Sequence, residues 1–108
     1  MRTVWKFDIT PLKSESGQSI YMPKDATVRS VNKQGNALCL WAEVNVDKDV
    51  APELEIRTFL FFGTGVDIDQ DATEYIGTIY GNDTFGAPLV FHVYEQDDGS
   101  YKGDGDLG

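Results

Sequence analysis

The chain has 108 residues, 18 acidic against 9 basic side chains, a net charge of −9 and a pI of about 4.3. That length gives one domain with room for one modest core, and that charge excludes a protein that coats a polyanion or an anionic membrane. No apolar run approaches the ~20 residues of a membrane helix, no signal peptide opens the chain, and a single cysteine (Cys39) with a single histidine (His92) excludes an internal disulfide and the usual zinc cages.

In chain order the elements read as strands. Residues 2–9 alternate, with Thr3, Trp5, Phe7 and Ile9 on one face and Arg2, Val4, Lys6 and Asp8 on the other, the two-residue period of a half-buried strand. Pro11 and the polar run 13–18 end it, and a short strand follows at Ser19–Met22, stopped by Pro23. A third strand is expected over Ala26–Asn32, with Lys33-Gln34-Gly35-Asn36 as a hairpin turn. Ala37–Val46 alternates sharply, Leu38, Leu40, Ala42, Val44 and Val46 facing one way and Cys39, Trp41, Glu43 and Asn45 the other. Glu53–Phe62 is apolar on both faces: Ile56, Thr58, Leu60 and Phe62 oppose Arg57, Phe59 and Phe61. Such a strand is covered on both sides or gives one face to an oligomer contact. Tyr75–Tyr80 and Pro88–Glu95 complete the set.

The expected fold is mainly β: a small antiparallel sandwich or strongly curved sheet of about six or seven strands, with at most one short helical turn near 67–74. Residues 1–95 form the single β domain. Residues 96–108 are acidic, Gly/Asp-rich and almost without apolar side chains, and read as a flexible tail because burial cannot offset their ordering entropy.

Few residues point to chemistry. Asp67, Asp69 and Asp71 have the opening spacing of a calcium loop, but Ala72 stands where its glycine belongs and Thr78 where its bidentate glutamate belongs, so a solvated acidic loop is expected and no metal. Gly63-Thr64-Gly65 follows a hydrophobic strand and offers backbone N–H groups to an anion, or else forms a tight corner of a curved sheet. His92 falls on the face of Val90 and Tyr94 with no serine or cysteine motif beside it, which suits a structural or ligand-contacting imidazole better than a general base. Nothing implies a cofactor or an enzyme. Trp41 on a polar face, Phe59 and Phe61 beside Arg57, and Tyr75, Tyr80, Phe85 and Tyr94 in the last third have the character of base-stacking surfaces or of a subunit interface.

The series Met1-Arg2-Thr3-Val4-Trp5-Lys6-Phe7, Met22-Pro23, Val28-Arg29-Ser30-Val31, Leu40-Trp41-Ala42-Glu43-Val44, Phe61-Phe62-Gly63-Thr64-Gly65, Tyr75-Ile76-Gly77-Thr78 and Leu89–Glu95 runs in order across residues 1–95. It resembles a family of short, mostly uncharacterised bacteriophage-encoded proteins. It is similar also to phage anti-CBASS sponge proteins, which sequester a cyclic oligonucleotide immune signal without cleaving it. One departure is Val66-Asp67, where His-Pro would follow the glycine turn. The resemblance implies a small β-rich protomer in the cytoplasm of an infected bacterial host, a homo-oligomer (dimer or tetramer) and no catalytic residues. On it Arg2, Lys6 and Arg57 would pair phosphates, Trp5 and Trp41 would stack bases, Gly63, Thr64 and Gly65 would supply donors, and His92 would contact the ligand. Two other readings stand beside it: an acidic inhibitor of a host protein, and a minor phage structural or assembly protein.

Overall fold

The computed structural model describes residues 1–10, 17–82, 86 and 88–96. Seven strands run in the order β1 (Arg2–Asp8), β2 (Gly17–Pro23), β3 (Thr27–Gln34), β4 (Ala37–Asn45), β5 (Leu54–Gly63), β6 (Ala72–Asn82) and β7 (Pro88–Gln96). They form two antiparallel sheets, β1-β4-β3 and β2-β5-β7-β6. Among the described residues there is no helix, and so none that could cross a membrane. The expected mainly β sandwich is what the chain adopts. Phe85 and the tail beyond Gln96 lie outside the described residues.

Two local expectations are refined. No helical turn occurs at 67–74; the Ala72 amide donates to the Asp69 carbonyl at 3.0 Å to close a single turn, and β6 begins there. The backbone from Ala72 onward satisfies its polar groups against β7 instead, and three aspartates in the preceding loop gain nothing from being wound together. The second strand also starts earlier than its polar residues suggest, because Gly17 and Gln18 already pair with Leu60 and Phe59.

Alternation explains the packing. Leu40, Ala42 and Val44 of β4 face Phe59 and Phe61 of β5, Val93 of β7 and Ile79 of β6 in one buried cluster, with Ile9 and Met22 closing it. The chain crosses between sheets at Lys24-Asp25, where Asp25 takes φ +65°, a region that aspartate tolerates better than most residues. Its amide donates to Glu55 Oε2 at 3.2 Å. The β3–β4 hairpin turns on Gly35-Asn36 as expected, with Gly35 at φ +63°, which a residue with a Cβ adopts only at a cost. At the far edge β3 meets β6 so closely that a Cβ on Gly77 would lie 3.0 Å from Val31 Cγ1.

Candidate functional site

Because Leu40, Ala42 and Val44 turn inward on β4, Trp41 and Glu43 turn outward. Antiparallel register places Lys6 of β1 and Ser30 of β3 on either side of Trp41, and Val4 and Thr27 on either side of Glu43. Directly opposed residues on one face have Cβ atoms ~4.5–5.5 Å apart, so Lys6, Trp41 and Ser30 make one row across the outer face of the three-stranded sheet.

The register of β3 shifts between Val28 and Ser30, and the extra residue is Arg29. A bulge of this kind re-aims a side chain, and here it brings Arg29 onto the Trp41 face. Its Nε and Nη2 donate to Glu43 Oε1 at 3.1 and 2.8 Å. From the other side Arg2 Nε lies 2.6 Å from Glu43 Oε2. The hydrogen bond from Arg29 and the nearby charge of Arg2 hold the Glu43 carboxyl below the usual carboxylate range, so the clasp is ionised throughout neutral pH. A guanidinium carries five N–H donors; Arg29 spends two and Arg2 one on Glu43. With the two arginine side chains 57% and 77% exposed, the remaining donors are open to an anion. Lys6 Nζ donates to Gln34 Oε1 at 2.6 Å. Asp8, the other acid of this face, is held below its ordinary pKa by hydrogen bonds from Thr10, whose amide donates to Oδ1 at 2.8 Å. Among the described residues, Arg2, Lys6 and Arg29 against Asp8 and Glu43 leave this face with a net positive charge in a chain of −9.

Of the residues that the resemblance implies, the structure places Arg2, Lys6 and Trp41 on one face, and beside them stand Arg29 and Glu43, which that expectation omits. Glu43 shares the Trp41 face by the alternation of β4 itself, whereas Arg29 reaches it only through the bulge and the cross-strand register, which no strand's own alternation shows. The other expected residues lie elsewhere. Trp5 is opposite Ala42 on the inward side of β1, its ring 6.4 Å from that of Phe7. It lines an end recess of about 440 Å³ with Met1, Thr3, Val46 and Val50.

Arg57 is drawn into the sandwich. Its Nε and Nη2 make a bidentate pair with Glu95 at 2.6 and 2.8 Å, and Nη1 donates to the Ala26 carbonyl at 2.5 Å. Both side chains are only 16% exposed. The hydrogen bonds that Arg57 donates to Glu95 raise the guanidinium above its already high ordinary pKa, against the opposing effect of burial. With these donors engaged, Arg57 ties β5 to β7 and to the start of β3. It also lines, with Arg29, Glu74, Tyr75 and Glu95, a cavity of about 320 Å³ open between the β3 and β6 edges. Arg29 thus borders both this cavity and the Trp41 face.

Gly63, Thr64, Gly65 and His92 assemble on the opposite side of the molecule, on the outer face of the four-stranded sheet. The Val66 amide donates to the Gly63 carbonyl at 3.1 Å, and Gly65 sits at φ +90°. His92 Nε2 is 3.0 Å from Thr64 Oγ1 and Nδ1 is 3.1 Å from Thr78 Oγ1, which is in turn 2.5 Å from the Tyr75 hydroxyl. Hydroxyls can donate or accept, so either neutral tautomer of the imidazole is satisfied. Among the described residues no three His, Cys, Asp or Glu side chains converge as a metal site.

A family model described as a domain of unknown function (DUF7352) matches residues 1–103. The match covers all seven strands and continues past the last of them. No match is found among curated proteins or among solved structures.

Proposed function

The chain belongs to the DUF7352 family, and from that premise we propose that it is a non-enzymatic binding protein of phage origin. In this reading it captures a cyclic oligonucleotide signal in the host cytoplasm and holds it uncleaved. The observation that carries this reading is Trp41 at the centre of the net-positive face, flanked in register by Lys6 and Ser30 and next to the Arg2–Glu43–Arg29 clasp. A base stacked on an indole contributes ~1–3 kcal/mol, and guanidinium groups pair phosphates at short range whatever the charge of the rest of the chain. The clasp holds two guanidinium groups in place before any ligand arrives, which lowers the entropy lost on binding. Arg29 joins this platform to the cavity at the β3–β6 edge, giving a flat stacking surface a concave border.

The test is a titration of the purified protein with a panel of cyclic di- and trinucleotides, following the midpoint of heat denaturation. A ligand that binds only the native state adds about 2.7 kcal/mol at a hundredfold excess over its Kd. Denaturation should then release the nucleotide intact. Trp41→Ala is expected to weaken capture by roughly 5- to 150-fold, the equivalent of ~1–3 kcal/mol, and Arg29→Ala to weaken it further for ligands with two phosphates. A panel in which no member shifts the midpoint removes the proposal, and recovery of cleaved nucleotide replaces capture by catalysis.

A further inference from the structure

The outer face of the four-stranded sheet has the opposite character. Register and alternation put Tyr21 of β2, Leu54 and Ile56 of β5, and Tyr75 and Tyr80 of β6 on it, each 50% to 74% exposed. Among the described residues, none of the positions that alternate onto this face is Asp, Glu, Lys or Arg, although 27 of the 108 residues are charged. Exposed apolar surface on this scale marks an interaction site. Its aromatic enrichment and lack of charge match the buried centre of a protein interface.

Several polar groups near the centre of the face are already paired with one another. His92 is hydrogen-bonded on both ring nitrogens, Thr78 to His92 and Tyr75, and Ser19 Oγ to Thr58 Oγ1 at 2.7 Å. Burying a polar group is expensive chiefly when its hydrogen bonds are left unmade, so water can leave these paired groups at little cost, while the tyrosine hydroxyls at the tips of long rings can reach a partner across the contact. A single-chain protein gains nothing from that arrangement. A covered face does.

We propose that the occupant is a second copy of this chain, packed face to face through the four-stranded sheets in an isologous dimer. Two observations select it. Protomers of charge −9 repel, and this is the sheet face on which they meet without apposing like charges; an oppositely charged partner would find nothing here to recognise. The area also fits. Four strands at ~4.8 Å spacing and ~30 Å long give a projected footprint of roughly 600 Å². The tyrosine rings standing above the sheet bring this toward the ~800 Å² per partner of a stable complex. The reading is independent of the nucleotide proposal, because the Trp41 face lies on the other sheet and stays open in the dimer.

Light scattering on a sizing column tests it. The full chain at tens of micromolar is expected at about twice its 12.0 kDa. Ile56→Lys and Tyr80→Glu, separate substitutions at exposed positions, are expected to give monomers with unchanged far-UV circular dichroism, while Trp41→Ala on the opposite face stays dimeric. Dilution of the wild type should lower its melting temperature without any substitution. A wild type that is monomeric across the concentration series, or a dimer that survives both charge insertions, overturns the proposal.

Discussion

At the scale of single residues, the ion pairs of this protein differ in what they hold. Glu43 is a surface acid whose value lies in positioning two arginines, and exposed pairs of this kind contribute little to stability. Their pH signature is nevertheless directional. A carboxyl held below its ordinary pKa in the folded state, by Arg29 and Arg2 here, contributes stability that is present above the unfolded value and lost as pH falls through the folded one. Asp8, lowered by Thr10, adds to the same acid limb. Urea midpoints at pH 6 and pH 3 should therefore fall more steeply in the wild type than in Glu43→Gln. Arg57 behaves otherwise: its raised pKa leaves its contribution intact below the ordinary arginine value, across every working pH. Removing it leaves Glu95 half-buried and without its guanidinium partner. Arg57→Ala is expected to cost about 2 kcal/mol, within the range for a desolvated group left without its hydrogen bonds, and to lower Tm by roughly 8 °C or more in heat denaturation.

At the scale of elements, the sandwich depends on how closely its two sheets approach at the β3–β6 edge. Gly77 faces Val31 Cγ1 there, and an added Cβ at 3.0 Å forces the valine or the strand to give. Gly77→Ala should destabilise by about 1–2 kcal/mol as overpacking does. Val31→Ala should return part of that loss in a double-mutant cycle, because the two sites share the contact. Equal and additive losses would show that the strand, not the valine, takes the strain. Strand existence and facing were legible in the sequence because a two-residue period is written in each strand's own residues; Leu40, Ala42 and Val44 opposite Trp41 and Glu43 is one case. Register and sheet membership were not. No local pattern states that β2 leaves β1 and β4 for the other sheet, or that Arg57 meets Glu95 across 38 residues of chain. Trp5 and Trp41 differ already in their own alternation: Trp5 shares a face with Phe7 and Ile9, and its pairing with the core residue Ala42 places that face inward, whereas Trp41 lies opposite Leu40 and Ala42. Arg29 reached the site through a bulge, which depends on the partner strand as much as on its own.

At the scale of the whole molecule, the sandwich separates two kinds of surface that a net charge of −9 conceals. One outer face carries Arg2, Lys6 and Arg29 around Trp41, and the other carries exposed tyrosines and aliphatic residues with no formal charge among the described residues. Salt should act on them with opposite sign. Ion pairing between guanidinium groups and phosphates weakens as screening shortens the Debye length from ~30 Å at 0.01 M to ~10 Å at 0.1 M, so nucleotide capture on the Trp41 face should weaken with added salt. Association through the uncharged face gains nothing from charge attraction and is opposed by the repulsion between two acidic protomers, so it should strengthen as the same salt screens that repulsion. Fluorescence titration of nucleotide binding and sedimentation of the dimer, each at 0.02 M and 0.5 M sodium chloride, measure the two slopes on one preparation. A Trp5→Phe variant leaves Trp41 as the only indole for the titration, since the chain has two tryptophans. Slopes of the same sign would mean that the two surfaces are not electrostatically distinct, and that the ligand face and the self-association face had been assigned to the wrong sheets.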